Sequence, residues 1–242
     1  GALISSAELN AGVGTQNAAL AMGGFNPNIL SCTEEYNGST WAAGGALIQN
    51  RYILGASGIQ GAALAMGGYG NPNAPKTNAE EYNGSSWSSI SNLPSVIRSN
   101  AGAGTTNATI SFGGRGAQPS QTVQTATVEW NGSTWSSGPN MSQCRFNFGT
   151  SNGASSTDAF ASMGATPTLL NATEIYDGTT WKTAASSLDS LRDIGTSAGG
   201  SSTSFSTFGG QSPANVGSHF LYNIETDLCS TTPFSLATWS GA

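Results

Sequence analysis

Small and bulky apolar residues alternate along this chain in short runs, and each run stops at a glycine or another small residue. Leu64-Ala65-Met66 and Ile110-Ser111-Phe112 are the clearest examples. A period of two over so few residues predicts β-strands rather than helices. A strand packed on both faces, with narrow room on one side, carries this small–large pattern. The runs end in phase, with a bulky residue before a small pair: Met22-Gly23-Gly24, Met66-Gly67-Gly68, Phe112-Gly113-Gly114, Met163-Gly164-Ala165 and Phe208-Gly209-Gly210. The glycine pairs predict an unusual dihedral or a close backbone approach.

A second marker follows each of the first four. Glu35-Tyr36-Asn37-Gly38-Ser39-Thr40-Trp41 returns from Glu81 to Trp87, from Glu129 to Trp135 and, with Asp-Gly, from Ile175 to Trp181. The tryptophans lie 46, 48 and 46 residues apart. A third marker is one arginine per unit, Arg51, Arg98, Arg145 and Arg192, each 47 residues from the last. The first unit lacks it and has Ala7 or Glu8 in the equivalent place. Asn-Gly between two strands predicts a type I′ hairpin, whose central residues both take positive φ.

Each unit therefore reads as four strands. In the second they are about Tyr52 to Ser57, Ala62 to Gly67, Ala79 to Tyr82 and Ser86 to Ser89. In the fifth unit, His219-Phe220-Leu221-Tyr222 matches the tyrosine strand, but the next tryptophan, Trp239, is displaced by a 12-residue insertion at about Asn223 to Pro233. Trp239-Ser240-Gly241-Ala242 joined to Gly1-Ala2-Leu3-Ile4 matches Trp41 to Ile48 in register. Such a join is expected of a closed ring and not of an open solenoid. The expected fold is all-β: a five-bladed β-propeller with four antiparallel strands per blade. It occupies residues 1–242 as one domain, in units of about 1–45, 46–91, 92–139, 140–185 and 186–242.

Composition narrows the function. Only 8% of the 242 residues are charged, and the formal charge is −6. Seven Lys and Arg residues are too few for a phosphate-binding surface, so nucleic acid is not an expected partner. No apolar run approaches the ~20 residues that span a bilayer, so no membrane insertion is expected. The chain opens on Gly1 rather than Met and shows no signal-peptide pattern, as a processed product or a piece of a longer protein would. Cys32, Cys144 and Cys229 are odd in number and share no metal-ligand spacing. They read as three small buried or half-buried residues.

The double glycine, the following tyrosine and the tryptophan opening the next strand, carried by Gly67-Gly68, Tyr82 and Trp87 and their counterparts, resemble the kelch family. The Tyr-to-Trp turn is shorter than in typical kelch units. The variant Glu80-Glu81-Tyr82-Asn83-Gly84-Ser85-Ser86-Trp87, with its Ala62 to Gly68 strand, resembles arrays in tail-associated and other virion proteins of marine bacteriophages. That resemblance implies a virion or extracellular location. It also implies partners among other virion proteins, or a protein or glycan on a host surface.

Kelch-like propellers include copper oxidases, whose chemistry needs histidine ligands. His219 is the only histidine, so no His-based copper or zinc site can form within the chain. No nucleophile-elbow pattern supports a Ser-His-Asp triad through His219. Glu34, Glu35, Glu80, Glu81, Glu129 and Glu174 are in phase. Their recurrence beside periodic arginines predicts ion pairs that fix blade register rather than acid–base catalysis or calcium binding. The tryptophans, Trp130 included, read as packing between blades. Asn37, Asn83 and Asn131 match the glycosylation sequon, yet turn chemistry alone explains them. No catalytic, metal or cofactor residue is expected, and no enzyme activity.

Binding is expected where the units differ. The segments Phe25 to Ser31, Tyr69 to Asn78, Arg115 to Thr125, Thr166 to Asn171 and Gln211 to Ser218 join the second and third strands on one face. Their Pro, Asn and Gln content makes neutral, hydrogen-bonding surfaces suited to glycans or proteins. The expected role is a non-enzymatic binding or structural module, with a lectin-like glycan-binding propeller as the alternative.

Overall fold

The computed structural model describes residues 1–117, 119–151, 155–166, 168–184, 196–201, 204–208, 211–212, 214–215 and 219–223. Four antiparallel four-stranded sheets follow one another along the chain. The first is Ala11–Thr15, Ala18–Met22, Thr33–Tyr36 and Trp41–Ala43; the second is Gly55–Ile59, Ala62–Met66, Ala79–Tyr82 and Trp87–Ile90. The third is Ala101–Thr105, Ala108–Phe112, Thr127–Trp130 and Trp135–Ser137; the fourth is Gly149–Thr150, Ala159–Ser162, Thr173–Tyr176 and Trp181–Thr183. A fifth sheet pairs Thr196–Ser201, Ser204–Phe208 and His219–Asn223. Arg192, Gly209-Gly210, Cys229, Trp239 and the insertion beyond Asn223 lie outside the described residues.

The leading strand of each sheet packs beside the leading strand of the next, from the first sheet through to the fifth. These strands are poor in side chain because room is short between them. A Cβ placed on Gly102 would lie 2.4 Å from Met66 Cε and 2.6 Å from the Ala56 carbonyl oxygen, both in the second sheet. Ser57 and Thr109 share a buried 2.6 Å hydrogen bond across the same junction.

Outer strands tie the sheets in pairs. Trp87 Nε1 donates to Thr33 Oγ1 at 3.0 Å, and Trp181 Nε1 repeats the bond to Thr127 Oγ1 at 3.0 Å. The Tyr82 hydroxyl donates to Glu35, and Tyr176 to Glu129 at 3.0 Å. Each tyrosine also tilts against its own tryptophan, with ring centroids 5.0 Å apart for Tyr82–Trp87 and 5.1 Å for Tyr176–Trp181. Burial first, and then the carboxylate acceptor, pushes both phenols up to about 12. In the third sheet Trp130 takes the tyrosine's place. It is buried as expected, but its indole donates to Thr106 O at 2.9 Å within its own sheet.

The N-terminus takes the expected place. Ile4 and Ser5 N–H donate to Glu34 at 2.7 and 2.8 Å, as Ile48 and Gln49 N–H do to Glu80 at 2.7 and 3.3 Å. Gly1 to Ser5 therefore stands to the first sheet as Gly45 to Gln49 stands to the second.

Three details differ from the sequence expectation. The Asn-Gly hairpins are not two-residue type I′ turns. Tyr82 pairs with Trp87, so the loop has four residues, and of the expected pair only Gly84 has positive φ, at 91°. Asn83 Oδ1 accepts the Ser85 and Ser86 N–H groups, both at 3.0 Å, and this side-chain turn replaces the backbone one. The second sheet begins at Gly55 rather than Tyr52, because Ile53 takes φ 48° and breaks the strand. Leu9, Ser99 and Asn147 take φ 57°, 53° and 52° at the equivalent places. In the fourth sheet Ser162 pairs with Thr173 as Met66 pairs with Ala79. Met163, at φ 61°, thus stands where Gly67 stands at φ 62°, and the bulky marker residue is shifted by one.

Candidate binding site

The periodic charges form scaffold pairs. Arg51 Nη2 donates to Glu80 Oε1 at 2.6 Å, and Arg145 Nη2 to Glu174 Oε1 at 2.7 Å, with all four side chains sealed from solvent. Each arginine spans a junction. The Arg51 backbone bonds Gly24 N and Leu30 O of the first unit. Its guanidinium also donates to Gly67 O at 3.1 Å and Asn78 O at 2.7 Å in the second. Burial lowers the pKa of both arginines from its ordinary value, and the paired glutamate opposes the shift.

The third unit departs from the expected pairing. Gly68 N donates to Ile97 O as Gly24 N does to Arg51 O and Gly114 N to Arg145 O. Ile97, and not Arg98, is therefore the counterpart of Arg51. Val128, and not Glu129, is the counterpart of Glu80, because it faces Ser111 as Glu80 faces Ala65. Pro94 stands where Ile48 gives its N–H to the carboxylate. Arginine, glutamate and the N–H donor are absent together, so no partner is stranded. The smaller side chains leave a cleft of about 360 Å³, lined by Leu93, Pro94, Ile97, Val128 and the variable segment around Ser120 and Thr122.

Arg98 is freed for another place. It and Arg115 form an isolated antiparallel bridge, with backbone bonds of 3.0 and 2.8 Å. This is the third-unit version of Glu8–Phe25, Tyr52–Tyr69 and Phe146–Ala165. These residues form an arc over one end of the four sheets. Phe25 meets Tyr52 and Tyr52 meets Tyr69, each with centroids 5.6 Å apart. The Arg98 guanidinium lies 5.2 Å from the Tyr69 ring centre, and that of Arg115 only 3.7 Å from the Phe146 ring centre.

Inside the arc is a second cleft, of about 390 Å³. The four positive-φ residues Leu9, Ile53, Ser99 and Asn147 contribute one position from each unit. Tyr52, Phe146 and Phe148 give aromatic walls, and Arg98 and Arg115 complete it. Among the described residues, no carboxylate lines it. The other four described cations have near partners: Arg51, Arg145 and Lys182 have carboxylates, and Lys76 donates to Asn71 O at 2.5 Å. Arg98 Nη2 donates to the neutral Gln121 Oε1 at 2.5 Å. The buried Nε of Arg98 and that of Arg115 have no hydrogen-bond partner, as is also true of Arg51 and Arg145, so it is the missing carboxylate that sets the cleft arginines apart among the described residues. The cleft thus combines positive charge, flat apolar walls and two small polar side chains, a set that can hold an anion attached to a ring.

Sequence reasoning placed the variable segments at one end of the sheets, and Arg115 opens one of them. It missed the cleft, because Arg98 was counted with the scaffold arginines. The irregular signal was Ile97-Arg98, where the 46- and 48-residue intervals of the tryptophans depart from 47. His219 lies on the third described strand of the fifth sheet. Cys32 and Cys144 are free and half-buried. Among the described residues no cluster of three His, Cys, Asp or Glu could hold a metal ion, and no helix is long and apolar enough to cross a membrane. No model of a known protein family matches the chain, and no curated protein matches it significantly.

Proposed function

We propose that this chain is a five-bladed β-propeller that works as a non-enzymatic binding module, closed between its fifth and first sheets. Its kelch-like repeats and the resemblance to phage virion arrays favour a place on a virion or outside the cell, with a host-surface glycan or protein as partner. The observation that carries this reading is the division of labour between positions. Buried residues such as Arg51, Glu80, Arg145 and Glu174 repeat and hold sheets together. The end that carries the variable segments changes from unit to unit and encloses the Arg98–Arg115 cleft. Repetition serves the scaffold, while a single irregular site serves recognition. A free lectin-like propeller is the second reading, favoured by the aromatic walls and the Ser99 and Asn147 side chains of that cleft.

A glycan array and a whole-cell binding screen with the purified protein test this. Specific binding that is lost when the variable segments are exchanged, and kept when Glu35 is changed to Gln, supports a recognition module. Absence of binding to every glycan and cell overturns it and leaves a building block.

A further inference from the structure

Among the described residues, nothing neutralises the charge of the cleft between Arg98 and Arg115. At formal charge −6 the protein has acid to spare, yet among the described residues none of it reaches these two arginines. Partly burying a cation without a counter-charge is unfavourable, and an arriving anion relieves it. Stacking on an aromatic face leaves the N–H edge of a guanidinium free, and that edge matches a carboxylate in bidentate fashion. Arg115 is stacked in this way on Phe146 at 3.7 Å. Arg98, 5.2 Å from the Tyr69 ring centre and with its Nη2 donating to Gln121 Oε1, adds a second positive charge on the same backbone bridge, and the two arginines form a receptor for one anionic head.

The rest of the cleft describes what the head is attached to. About 390 Å³ is far more than a bare anion fills and falls in the range of small-molecule sites. Tyr52 and Phe148 offer flat apolar walls, and Ser99 and Asn147 offer hydroxyl and amide groups. A purely apolar acid would leave those polar groups unpaired, and a free phosphate would leave the walls bare. A hydroxylated ring with one carboxylate uses all three. Building on the reading of this chain as a binding module, we infer that the cleft binds an acidic sugar, with its carboxylate on Arg98 and Arg115 and its ring against the aromatic wall.

The test is a calorimetric and NMR titration of the full chain with D-glucuronate, beside D-glucose, which differs by lacking the carboxylate, and beside sulfate. The expected result is saturable glucuronate binding at least tenfold tighter than glucose or sulfate. Amide shifts are expected at Ser99, Arg115 and Asn147. Arg115→Gln and Arg98→Gln should each weaken it tenfold or more, and Arg115→Lys less. Among the described residues neither arginine has a carboxylate partner to strand, and an unchanged NMR spectrum outside the cleft verifies the fold of each variant. Equal binding of glucose and glucuronate, equal binding of sulfate, or indifference to both Gln variants overturns the inference. A protein that scores on glycan arrays but ignores glucuronate loses the acidic-sugar site and keeps its role as a module. One that binds nothing in any assay loses both.

Discussion

The Arg51 guanidinium and the Glu80 carboxylate meet at 2.6 Å with 0% and 1% of their side chains exposed, and the third sheet puts Ile97 and Val128 in their places. The molecule thus contains both an ionic and an apolar solution to the same junction. Buried ion pairs often stabilise no more than well-packed apolar residues of similar volume, whereas losing one partner strands a charge. The simultaneous change of both partners, with Pro94 removing the N–H that would need the carboxylate, follows from this.

Glu80→Val alone should lower unfolding stability by about 3–5 kcal/mol, because it leaves the Arg51 guanidinium buried and unpaired. Arg51→Ile with Glu80→Val should recover most of that loss, and adding Ile48→Pro should recover more. Urea denaturation of the three variants measures the series. A double variant no more stable than the single would show that the pair does not act as a unit.

Stability should also fall in strong alkali for a defined reason. Tyr82 and Tyr176 have their phenols raised from 10.0 to about 12. A raised folded-state pKa means that their contribution is complete below pH 10.0 and is lost as pH rises from there through about 12. Tyrosinate absorbance should show these two residues titrating well above pH 10.0, towards about 12. Removing Glu35 should advance Tyr82 and leave Tyr176 unmoved.

Gly102→Val should destabilise by about 1–3 kcal/mol through overpacking. The Ala56 carbonyl oxygen lies 2.6 Å from the position of the new Cβ, and backbone cannot step aside as a side chain can. Gly61, whose added Cβ meets nothing within 4 Å, is the control, and Gly61→Ala should change stability little. Thermal unfolding of the two variants separates crowding between sheets from a general intolerance of side chains.

Asn83→Ala should cost about 1 kcal/mol, the net value of the side-chain acceptor that closes the turn. Asn83→Asp should be tolerated, since Asp177 accepts Thr179 and Thr180 N–H at 3.0 and 2.8 Å in the equivalent loop. Hydrogen exchange at Ser85 and Ser86 should rise in the alanine variant alone.

The strands, the sheet count and the in-phase N-terminus were legible because hydrophobic alternation, glycine pairs and turn residues all report local geometry. The site was less legible, because its residues are legible only in correct phase. A uniform interval of 47 put Arg98 with Arg51, while the hydrogen-bonded frame runs at 46 and then 48 and puts Ile97 there. The same one-residue slip gave Met163 the role of Met66. Ile53 could not have been foreseen as a strand-breaker, since a β-branched residue at φ 48° contradicts its own propensity. Its N–H donates to Leu9 O at 2.9 Å and its carbonyl accepts from Ser99 N–H at 2.7 Å, bonds to neighbouring units that local propensity does not report.

Ring closure is the claim on which the rest depends, and a distance measurement tests it most directly. Thr15, Ile59 and Ser201 end the leading strands of the first, second and fifth sheets. With Cys32, Cys144 and Cys229 replaced by serine, paired spin labels at Thr15 and Ile59 report the spacing of neighbouring sheets. Labels at Thr15 and Ser201 report the junction that closes the ring. A closed propeller predicts the same separation for both pairs. A Thr15–Ser201 separation more than twice the Thr15–Ile59 value would mean an open array and would contradict the account.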